Sequence, residues 1–546
     1  MCIRDRGQVY HTYYAYDEMG NRVSVTDANN HVTYYDYDES GRLVKVRMPE
    51  GTEKSYEYNC FGNVTGFTDP NGITTKYIYA HFDTLRVMEK RYYYEDEDLG
   101  MVLDYKVIYD YDEEGNRVLA DEPGFRKTMV FDEESRITGI QTLYKADEKT
   151  AMISYSYDKT GNRSGMIPSH LSYEPEPAQV TYGYDKLNRL TAIEYPGLGT
   201  VGYEYFDCCN LRKKVTYPNG SYTEYGYDDF KNLKVLTNYN ESGIMISGYN
   251  YKYDENGNRI SMSETLQSPD VSGLTIHETE YGYDGLNQLI NVRYFESPYE
   301  YETHSYNYDS VGNRMSENVS RTVGAGTTLL YTENYVYDAE NRLLTMTHGT
   351  FTQPQWKNAY QYDENGNMVT EQRYKYRMLY PPGWILQSEK YYGYNYNNQM
   401  NFAYEFGMEG YYNFSEDSER LSKRTKYWDG YQIGEEVENY VYDFDDCVRD
   451  YDHNWNLKKI YYRGASIDEV LVDYDFESQQ WRFYYSDALG STRQICDSEG
   501  NILQKFDYSA WGTMRDITPE LYTEKGEVQG AVDMSLYEDT FEFNVA

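Results

Sequence analysis

The chain has 546 residues, 90 of them acidic and 51 basic, so its formal net charge is -39 at pH 7. This acidity disfavours binding to nucleic acid and anionic lipid because like charges repel, and no apolar run reaches the roughly 20 residues that cross a bilayer. Acidic, polar chains are often disordered, but disordered chains contain few aromatic residues and this one contains 69 tyrosines, which favour β-strands.

One sequence repeat recurs from the N-terminus onward: Tyr-x-Tyr-Asp, two or three residues, Gly-Asn-Arg, and then a short alternation of apolar residues. Early copies keep a strict register, since Tyr16, Tyr37, Tyr58 and Tyr79 follow one another at intervals of 21 residues. Later intervals are longer, so insertions fall between repeats. This self-similarity predicts a repeat array, in which each repeat packs against its neighbours. Clear copies of Tyr-x-Tyr-Asp occupy residues 14–17, 155–158, 251–254, 306–309 and 360–363.

Each repeat predicts a β-hairpin, because the tyrosines alternate with other residues at the period of a strand and Asp-x-x-Gly-Asn supplies turn chemistry. In the repeat around Asp254, Tyr251 and Tyr253 should share one face and Lys252 should lie on the other. The Asp254 carboxylate should accept the amides of residues 257 and 258, with Gly257 at positive φ. Apolar residues six and eight positions after the Asp should share one face: Val23 and Val25, Val44 and Val46, Ile260 and Met262, Ile290 and Val292, Leu344 and Met346.

The whole pattern predicts an all-β protein with little helix. No stretch shows a sustained amphipathic helical period that could cover a sheet. A long, curving ribbon of antiparallel hairpins, packed through ladders of tyrosines, accounts best for the composition. Closure of such a ribbon into a shell would also remove exposed strand edges.

These repeats resemble the YD-repeat, or Rhs (rearrangement hotspot), family, and the resemblance covers nearly the whole chain. Residues 484–493, Tyr-Tyr-Ser-Asp-Ala-Leu-Gly-Ser-Thr-Arg, resemble the opening of the Rhs core-associated region. The resemblance implies an all-β repeat array of antiparallel hairpins that forms a spiralling, curved β-sheet shell, a partial or incomplete cocoon. It implies a YD-repeat shell at 1–470, the start of the core-associated region at 471–515, and an irregular, truncated tail at 516–546.

The function implied by the resemblance is that of a non-enzymatic carrier. Its shell would enclose or display the C-terminal toxin of a secreted or surface-exposed bacterial polymorphic toxin, used in competition between bacteria. Expected partners are this toxin, which the chain lacks, its immunity protein and cell-surface carbohydrate; no signal peptide is visible. The aspartates that cleave relatives downstream have no counterpart here, so no self-cleavage is expected. The alternative is a cell-surface adhesion or carbohydrate-binding protein whose tyrosines stack on sugars, although recurrence in every repeat favours packing.

No motif predicts a catalytic residue, a cofactor or a metal site. Segments 254–258 and 363–367 are rich in oxygen ligands, but their glycines miss the sixth position that a calcium loop requires, so we interpret them as turns. The eight histidines form no His-x-x-x-His pair. We interpret the six cysteines as mostly buried small hydrophobic residues, and the adjacent Cys208 and Cys209 are not expected to bridge easily. Asp487 is expected to form a turn before Gly490.

Overall fold

A computed structural model describes residues 2–5, 8–80, 85–172, 178–267, 274–350, 353–377, 383–428, 432–466 and 469–516. These residues form strands and turns without any α-helix, which confirms the predicted all-β class. Accordingly, the described part contains no helix long and apolar enough to cross a membrane. Of the predicted tail, only residue 516 is described, and the predicted boundaries at residues 470 and 515 stay predictions.

The described residues form 45 strands, and the 41 strands from β3 to β43 pair in antiparallel fashion with strands next to them in the sequence. This confirms the predicted repeat array of antiparallel hairpins. By its internal contacts the chain divides into two compact units. Unit 1 comprises Met1–Tyr182, Lys252–Met262 and His277–Leu457, and unit 2 comprises Gly183–Tyr251, Ser263–Ile276 and Lys458–Ala546.

The strands lengthen from four to six residues near the N-terminus to as many as twelve in the middle of the chain. The first fifteen are β1 (Cys2–Asp5), β2 (Gln8–His11), β3 (Tyr13–Tyr16), β4 (Arg22–Thr26), β5 (Val32–Tyr37), β6 (Leu43–Arg47), β7 (Glu53–Tyr58), β8 (Val64–Thr68), β9 (Thr74–Tyr79), β10 (Val87–Asp96), β11 (Gly100–Tyr111), β12 (Arg117–Asp121), β13 (Phe125–Phe131), β14 (Ile137–Tyr144) and β15 (Lys149–Tyr157). The next fifteen are β16 (Arg163–Leu171), β17 (Val180–Tyr184), β18 (Leu190–Tyr195), β19 (Gly199–Tyr205), β20 (Arg212–Thr216), β21 (Tyr222–Tyr227), β22 (Leu233–Tyr239), β23 (Met245–Tyr253), β24 (Arg259–Gln267), β25 (Leu274–Tyr283), β26 (Leu289–Ser297), β27 (Glu300–Tyr308), β28 (Arg314–Val323), β29 (Gly326–Tyr337) and β30 (Leu343–Thr350). The last fifteen are β31 (Gln353–Tyr362), β32 (Met368–Arg377), β33 (Gly383–Tyr394), β34 (Met400–Glu405), β35 (Met408–Phe414), β36 (Arg420–Trp428), β37 (Ile433–Asp443), β38 (Asp446–Asp452), β39 (Leu457–Arg463), β40 (Val470–Asp475), β41 (Gln480–Ser486), β42 (Thr492–Cys496), β43 (Ile502–Lys505), β44 (Asp507–Tyr508) and β45 (Met514–Asp516).

The hairpin of β3 and β4 shows how a repeat folds. The Asp17 carbonyl accepts the amide of Gly20 (3.1 Å), and the Asp17 amide donates to the carbonyl of Asn21 (2.9 Å). The Asp17 carboxylate accepts the amides of Met19 and Asn21 (3.0 and 2.8 Å) and the side-chain amide of Asn21 (2.9 Å). Gly20 has a φ of 88°, as a three-residue hairpin loop requires at this position. One aspartate therefore organises the whole turn.

A β-bulge follows this turn, and the sequence pattern did not predict it. Ala15 pairs with Ser24 but Tyr16 pairs with Arg22, so Val23 has no partner across the hairpin. The extra residue strengthens the local twist of the strand. The same shift recurs at the second tyrosine of later repeats, among them Tyr37, Tyr58, Tyr157, Tyr283 and Tyr308, so these hairpins share one bend.

In twelve repeats the second tyrosine ties its hairpin to an earlier strand of the sheet. Tyr37 donates its hydroxyl hydrogen to the carbonyl of Arg22 (3.0 Å), and Tyr58 does the same to Leu43 (2.7 Å). The guanidinium of Arg42 lies 4.8 Å from the centre of the Tyr58 ring, a cation–π contact. Bonds to a main-chain carbonyl also form at Tyr79, Tyr111, Tyr157, Tyr205, Tyr283, Tyr308, Tyr337, Tyr362, Tyr394 and Tyr508.

The two faces of the strands differ as predicted. Within β23, Tyr251 is buried and the following Lys252 is exposed. Other first tyrosines are also buried while the residue after them is exposed: Tyr109 before Asp110, Tyr203 before Glu204, Tyr306 before Asn307 and Tyr335 before Val336. These tyrosines pack inside the protein, which confirms the packing interpretation for these repeats.

The Asp254 turn has the predicted geometry with one refinement. Its carboxylate accepts the backbone amides of Asn256 and Asn258 (2.9 and 2.8 Å) and the side-chain amide of Asn258 (2.9 Å). The hydrogen bond from the Asn258 side chain lowers the pKa of Asp254. Gly257 has the predicted positive φ, 86°, and its amide donates to the Asp254 carbonyl (3.2 Å). The predicted bond from the amide of residue 258 to the carboxylate is confirmed. The amide of Gly257 donates to the Asp254 carbonyl instead of the carboxylate, and so closes the turn through the backbone. Asp284 and Asp338 accept amides in the same way.

The turn glycine is not obligatory. Asparagine and serine reach positive φ more easily than β-branched residues, because a short polar side chain can bond locally. Eight repeats carry another residue at this position, each at positive φ: Ser135, Asn188, Lys231, Asn287, Asn341, Asn398, Ser418 and Trp455.

We therefore expect Gly257→Val to destabilise its hairpin by about 1–3 kcal/mol and Gly257→Asn by only about 0.5 kcal/mol. A Cβ atom at residue 257 would meet no atom within 4 Å, so the difference arises from the backbone alone. The hydrogen-exchange protection of β23 and β24 measures this loss of stability, since the hairpin that carries the substitution should open before the other repeats do. Equal protection in the two variants would contradict this reading of the turn.

In unit 1, hairpin turns far apart in the sequence lie side by side. Asn71 donates its side-chain amide to Asp363 (3.0 Å), and Asn365 donates in return to Asp69 (2.7 Å), a separation of more than 290 residues. A second pair of turns meets where Asn29 donates to Asp309, 280 residues away (2.9 Å). The sheet of unit 1 thus returns onto itself after close to 300 residues.

The core of unit 1 lies along the same seam. Tyr144 is 2% exposed and packs its ring against Phe125 and Trp455, with ring centres 5.6 and 4.6 Å apart. Its hydroxyl donates to the carbonyl of Tyr440. The buried members of this cluster come from two distant parts of the sequence, 144–171 and 421–455: Tyr144, Ala151, Leu171, Leu421, Val441, Tyr451 and Trp455.

Unit 2 has an equivalent seam of its own. Tyr195 donates to the carbonyl of Arg463 (2.5 Å), 268 residues away, and the buried Tyr485 donates to Ser221 (2.8 Å). Such contacts between distant hairpins supply burial that a single hairpin lacks.

Candidate functional site

The segment 484–493, which resembles the core-associated signature, forms a turn between β41 and β42. The Asp487 carboxylate accepts the amides of Leu489 and Ser491 (2.8 and 3.2 Å), and the Asp487 carbonyl accepts the amide of Gly490 (3.2 Å). Gly490 has a φ of 83°. The predicted role of Asp487 in turn formation is therefore confirmed.

The last residue of this segment, Arg493, lies in a buried cluster of charges in unit 2. Its guanidinium donates to both oxygens of Glu264 (2.8 and 3.0 Å) and lies 3.7 Å from Asp487 and 3.3 Å from Asp507. The side chains of Arg493 and Glu264 are 6% and 8% exposed. Burial opposes the positive charge, but the carboxylates, Glu264 first, raise the pKa of Arg493 above its ordinary value. The cluster holds β42 against β24, which sequence spacing could not show.

A second buried carboxylate lies beside the signature. Asp473, fully buried, accepts two hydrogen bonds from Arg482 (2.8 and 2.6 Å) and one from the hydroxyl of Tyr484 (2.8 Å). Burial, and then the charge of Asp473, raise the pKa of Tyr484 well above its usual range. With both oxygens of Asp473 bonded across β40 and β41, this carboxylate acts as a cross-strand tie.

Two buried carboxyl groups of unit 1 have raised pKa values. Burial raises the pKa of Glu122, although Tyr105 donates a hydrogen bond to it (2.6 Å). Burial also raises the pKa of Glu419, against the opposing charge of Lys127 beside it. Raised carboxyl pKa values occur in general acids, but here each group is bonded within the sheet. The contact of Glu419 with Lys127 joins hairpins 292 residues apart and belongs to the seam of unit 1, whereas the bond from Tyr105 to Glu122 is local.

The histidines form no metal site in the part of the chain that the structure describes, where no three His, Cys, Asp or Glu side chains are arranged around a possible ion. The most embedded histidine, His304, bonds Glu317 through Nδ1 (2.6 Å) and Glu302 through Nε2 (2.8 Å). His348 contacts Glu333 (3.1 Å) and stacks on the Trp356 ring at 4.6 Å. Both histidines serve as packed, hydrogen-bonded parts of the sheet.

His304 gives the sheet a pH dependence of known sign. Burial acts to lower its pKa, but the hydrogen bonds to Glu302 and Glu317 and their charges raise it overall. The folded pKa lies above the unfolded one, so the stabilisation is complete below about pH 6.5 and is lost as the pH rises through the folded value. We expect His304→Gln to lower Tm more at about pH 5 than at about pH 9. The exposed His277, changed to Gln, provides the control; an equal effect of His304→Gln at both pH values would contradict the assignment.

The cysteines correct one sequence-based interpretation. Of the five whose side chains are described, only Cys496 is buried; Cys60 and Cys208 are exposed, and Cys209 and Cys447 are half-buried. The interpretation as mostly buried residues was wrong, because four of the five lie in turns or at partly covered strand positions. None of the five forms a disulfide.

Comparisons with known proteins agree with this architecture. Residues 16–53 match the family model described as RHS Repeat. The chain is 27% identical over 344 residues to the tRNA3(Ser)-specific nuclease WapA of Bacillus spizizenii, which covers 61% of this chain and 12% of that protein.

Solved toxin structures share the fold. The crystal structure of TcdB2-TccC3 matches 93% of this chain with a TM-score of 0.65 and 14% identity, and that of TcdB2-TccC3-TEV matches 94% with a TM-score of 0.68 and 14% identity. The Tc holotoxin pore of Photorhabdus luminescens matches 93% with a TM-score of 0.65 and 15% identity. The chain spans about a quarter of each of these structures, 26–27%.

The repeated Asp turns, the tyrosine ties and the sequential antiparallel strands define an all-β repeat protein. The family-model match at residues 16–53 and the signature at 484–493 support an Rhs, or YD-repeat, protein, and the solved structures share its fold.

Proposed function

We propose that this chain is a structural carrier: the YD-repeat shell of a bacterial polymorphic toxin, which encloses or displays a toxin polypeptide. Its partners would be that toxin and the matching immunity protein, and it would act outside the producing cell or on its surface. One observation carries the proposal. Within each unit the sheet returns onto itself through bonds between distant hairpins, and the same fold occurs in TccC3-containing toxin structures.

We further propose that the shell itself is not an enzyme. The buried carboxylates Glu122, Glu419 and Asp473 are each bonded to side chains of other strands. The chain spans only 12% of WapA, so the nuclease activity in that protein's name does not transfer to it. The purified chain should neither cleave tRNA or DNA nor fragment itself. Discrete fragments that persist when protease inhibitors are present would contradict this.

The carrier role can be tested with the product of the complete gene. During limited proteolysis under native conditions, a polypeptide segment encoded after residue 546 should survive on the order of tenfold longer when attached to the shell than when produced alone. A protease cleaves the open, accessible form of the segment, and enclosure by the shell lowers the population of that form. The matched control is the same product with a seam variant, Tyr144→Ala, which should restore digestion. Digestion at equal rates, or a gene that encodes no further domain, would contradict the proposal.

A second candidate is carbohydrate binding by a cell-surface protein. The observation in its favour is that three neighbouring tyrosines of the first repeat are exposed: Tyr13, Tyr14 and Tyr16 are 59, 42 and 61% exposed. Exposed rings of this kind can stack on apolar faces of ligands. Binding of bacterial wall glycans that disappears with Tyr14→Ala and Tyr16→Ala would support this function, and an absence of glycan binding would exclude it.

A further inference from the structure

One turn of unit 2 departs from the repeat. Between β19 and β20, Phe206 occupies the position of the motif aspartate, so no carboxylate organises the turn. Backbone bonds replace it: the amide of Phe206 donates to the carbonyl of Leu211 (3.1 Å), and the amide of Cys209 donates to the carbonyl of Phe206 (3.3 Å). Cys209 lies three residues after Phe206, where many other repeats have glycine, and Cys208 precedes it. This turn therefore lacks the aspartate carboxylate of the other repeats and carries two thiols.

The two thiols lie side by side at the surface. Their Sγ atoms are 3.1 Å apart and are not joined in a disulfide. Cys208 is exposed and Cys209 is half-buried, so a small reagent can reach the pair. The backbone around them is held in place, because the Arg189 guanidinium donates to the carbonyls of Cys209 (2.8 Å) and Phe206 (3.1 Å). The geometry is therefore that of a fixed, accessible dithiol.

The surroundings make the two sulfurs unequal. The hydrogen bond shared with Cys208 lowers the pKa of Cys209, and so do the amide of Leu211 and the positive charges of Lys231 and Arg189. The same hydrogen bond raises the pKa of Cys208. Cys209 is thus the sulfur that more readily forms the thiolate, which is the nucleophile in thiol–disulfide exchange.

We propose that Cys208 and Cys209 form a reversible, oxidisable dithiol site whose substrates are low-molecular-weight disulfides. In the first step the Cys209 thiolate attacks one sulfur of the disulfide, forms a mixed disulfide and releases one thiolate. In the second step Cys208 loses its proton and attacks Cys209 Sγ, which forms the Cys208–Cys209 bond and releases the second thiol. The protein is oxidised by two electrons, and the small disulfide is reduced to two thiols.

The product would be a labile bond instead of a structural bridge. A disulfide between adjacent residues closes a small ring, and strain makes a disulfide easier to reduce. The expectation that this pair does not bridge easily stays a prediction, to which the structure adds the proximity of the two sulfurs. The site is suited to sensing the thiol–disulfide balance at the surface of the protein.

The test uses oxidised glutathione on the purified chain at neutral pH, with acid quenching, alkylation, digestion and mass spectrometry. In the unaltered chain, the peptide with residues 208 and 209 should lose two hydrogens and retain no glutathione, and dithiothreitol should reverse the change. In Cys208→Ser, glutathione should remain on Cys209. In Cys209→Ser, residue 208 should react about tenfold more slowly than Cys209 does in Cys208→Ser.

Cys60 provides the internal control, since it is exposed on the turn between β7 and β8. It should accumulate a stable glutathione adduct in every variant. Circular dichroism of the two serine variants should match that of the unaltered chain. A difference in their reaction rates with oxidised glutathione then reflects the reactivity of the thiols and not a change of fold. Stable adducts on residues 208 and 209 without an internal disulfide, or equal rates in the two variants, would overturn the proposal.

Discussion

Replacement of Glu264 by alanine should destabilise unit 2 by about 3–5 kcal/mol, because it leaves Arg493 as a buried charge without its bidentate partner. Both side chains are less than a tenth exposed, so water cannot replace the lost carboxylate. The remaining carboxylates, Asp487 and Asp507, lie farther away, at 3.7 and 3.3 Å. Hydrogen exchange of β24 and β42, followed alongside urea unfolding, measures the loss where it should begin.

A double replacement separates the unpaired charge from the loss of contact. Glu264→Leu combined with Arg493→Met removes the charges of this pair and keeps most of the volume, so we expect a smaller loss of stability than in Glu264→Ala; the remaining loss comes from Asp487 and Asp507, which no longer face a cation. Glu264→Ala with unchanged protection of β24 and β42 would show that the pair has no structural role. A double variant as unstable as the single one would show that packing, and not charge, holds the cluster.

Tyr144→Ala should destabilise unit 1 by about 3–5 kcal/mol, because the residue is buried against two aromatic rings on the seam. Its ring contacts Phe125 on the next strand and Trp455 on a hairpin more than 300 residues away in the sequence. Removal of the ring leaves a cavity between two hairpins. Each hairpin is held by its neighbours in the sheet, so the hairpins cannot move together to fill the cavity. Near-UV circular dichroism and urea unfolding give the measurement.

Tyr144→Phe is the matched control for this variant. It keeps the ring and loses only the hydrogen bond to the carbonyl of Tyr440, so we expect a loss of about 1 kcal/mol. Tyr13→Ala, at an exposed position of the first repeat, should change stability by less than about 0.5 kcal/mol. Equal effects of Tyr144→Ala and Tyr13→Ala would contradict the position of Tyr144 in the core.

The local structure of the repeat was predictable because its causes lie within a few residues of each other. The Asp254 turn, the positive φ of Gly257 and the alternation of Tyr251 with Lys252 all follow from short-range patterns. The bulge opposite Tyr16 was missed because no residue type marks it: Val23, which has no partner across the hairpin, is the same residue type as Val25, which pairs with Tyr14.

The contacts between distant hairpins could not be predicted. Arg493 and Glu264 are 229 residues apart, and nothing near either residue identifies the other. The number of residues in one circuit of the sheet depends on bulges and insertions summed over many repeats. The cysteines were misread for a related reason, since composition gives the usual burial of a residue type and not its place in a particular turn.

The proposed carrier function depends most directly on the return of the sheet of unit 1 onto itself, and a cross-link tests this return. Asn71→Cys and Asn365→Cys are combined in a chain whose exposed or half-buried Cys60, Cys208, Cys209 and Cys447 are serine, and a short bismaleimide is added at low protein concentration. Because these asparagines contact each other across the seam (3.3 and 3.4 Å), we predict a peptide pair that joins residues 71 and 365 within one chain. If both cysteines are modified but no such pair forms, the sheet does not return at this point, and the basis for a carrier is lost.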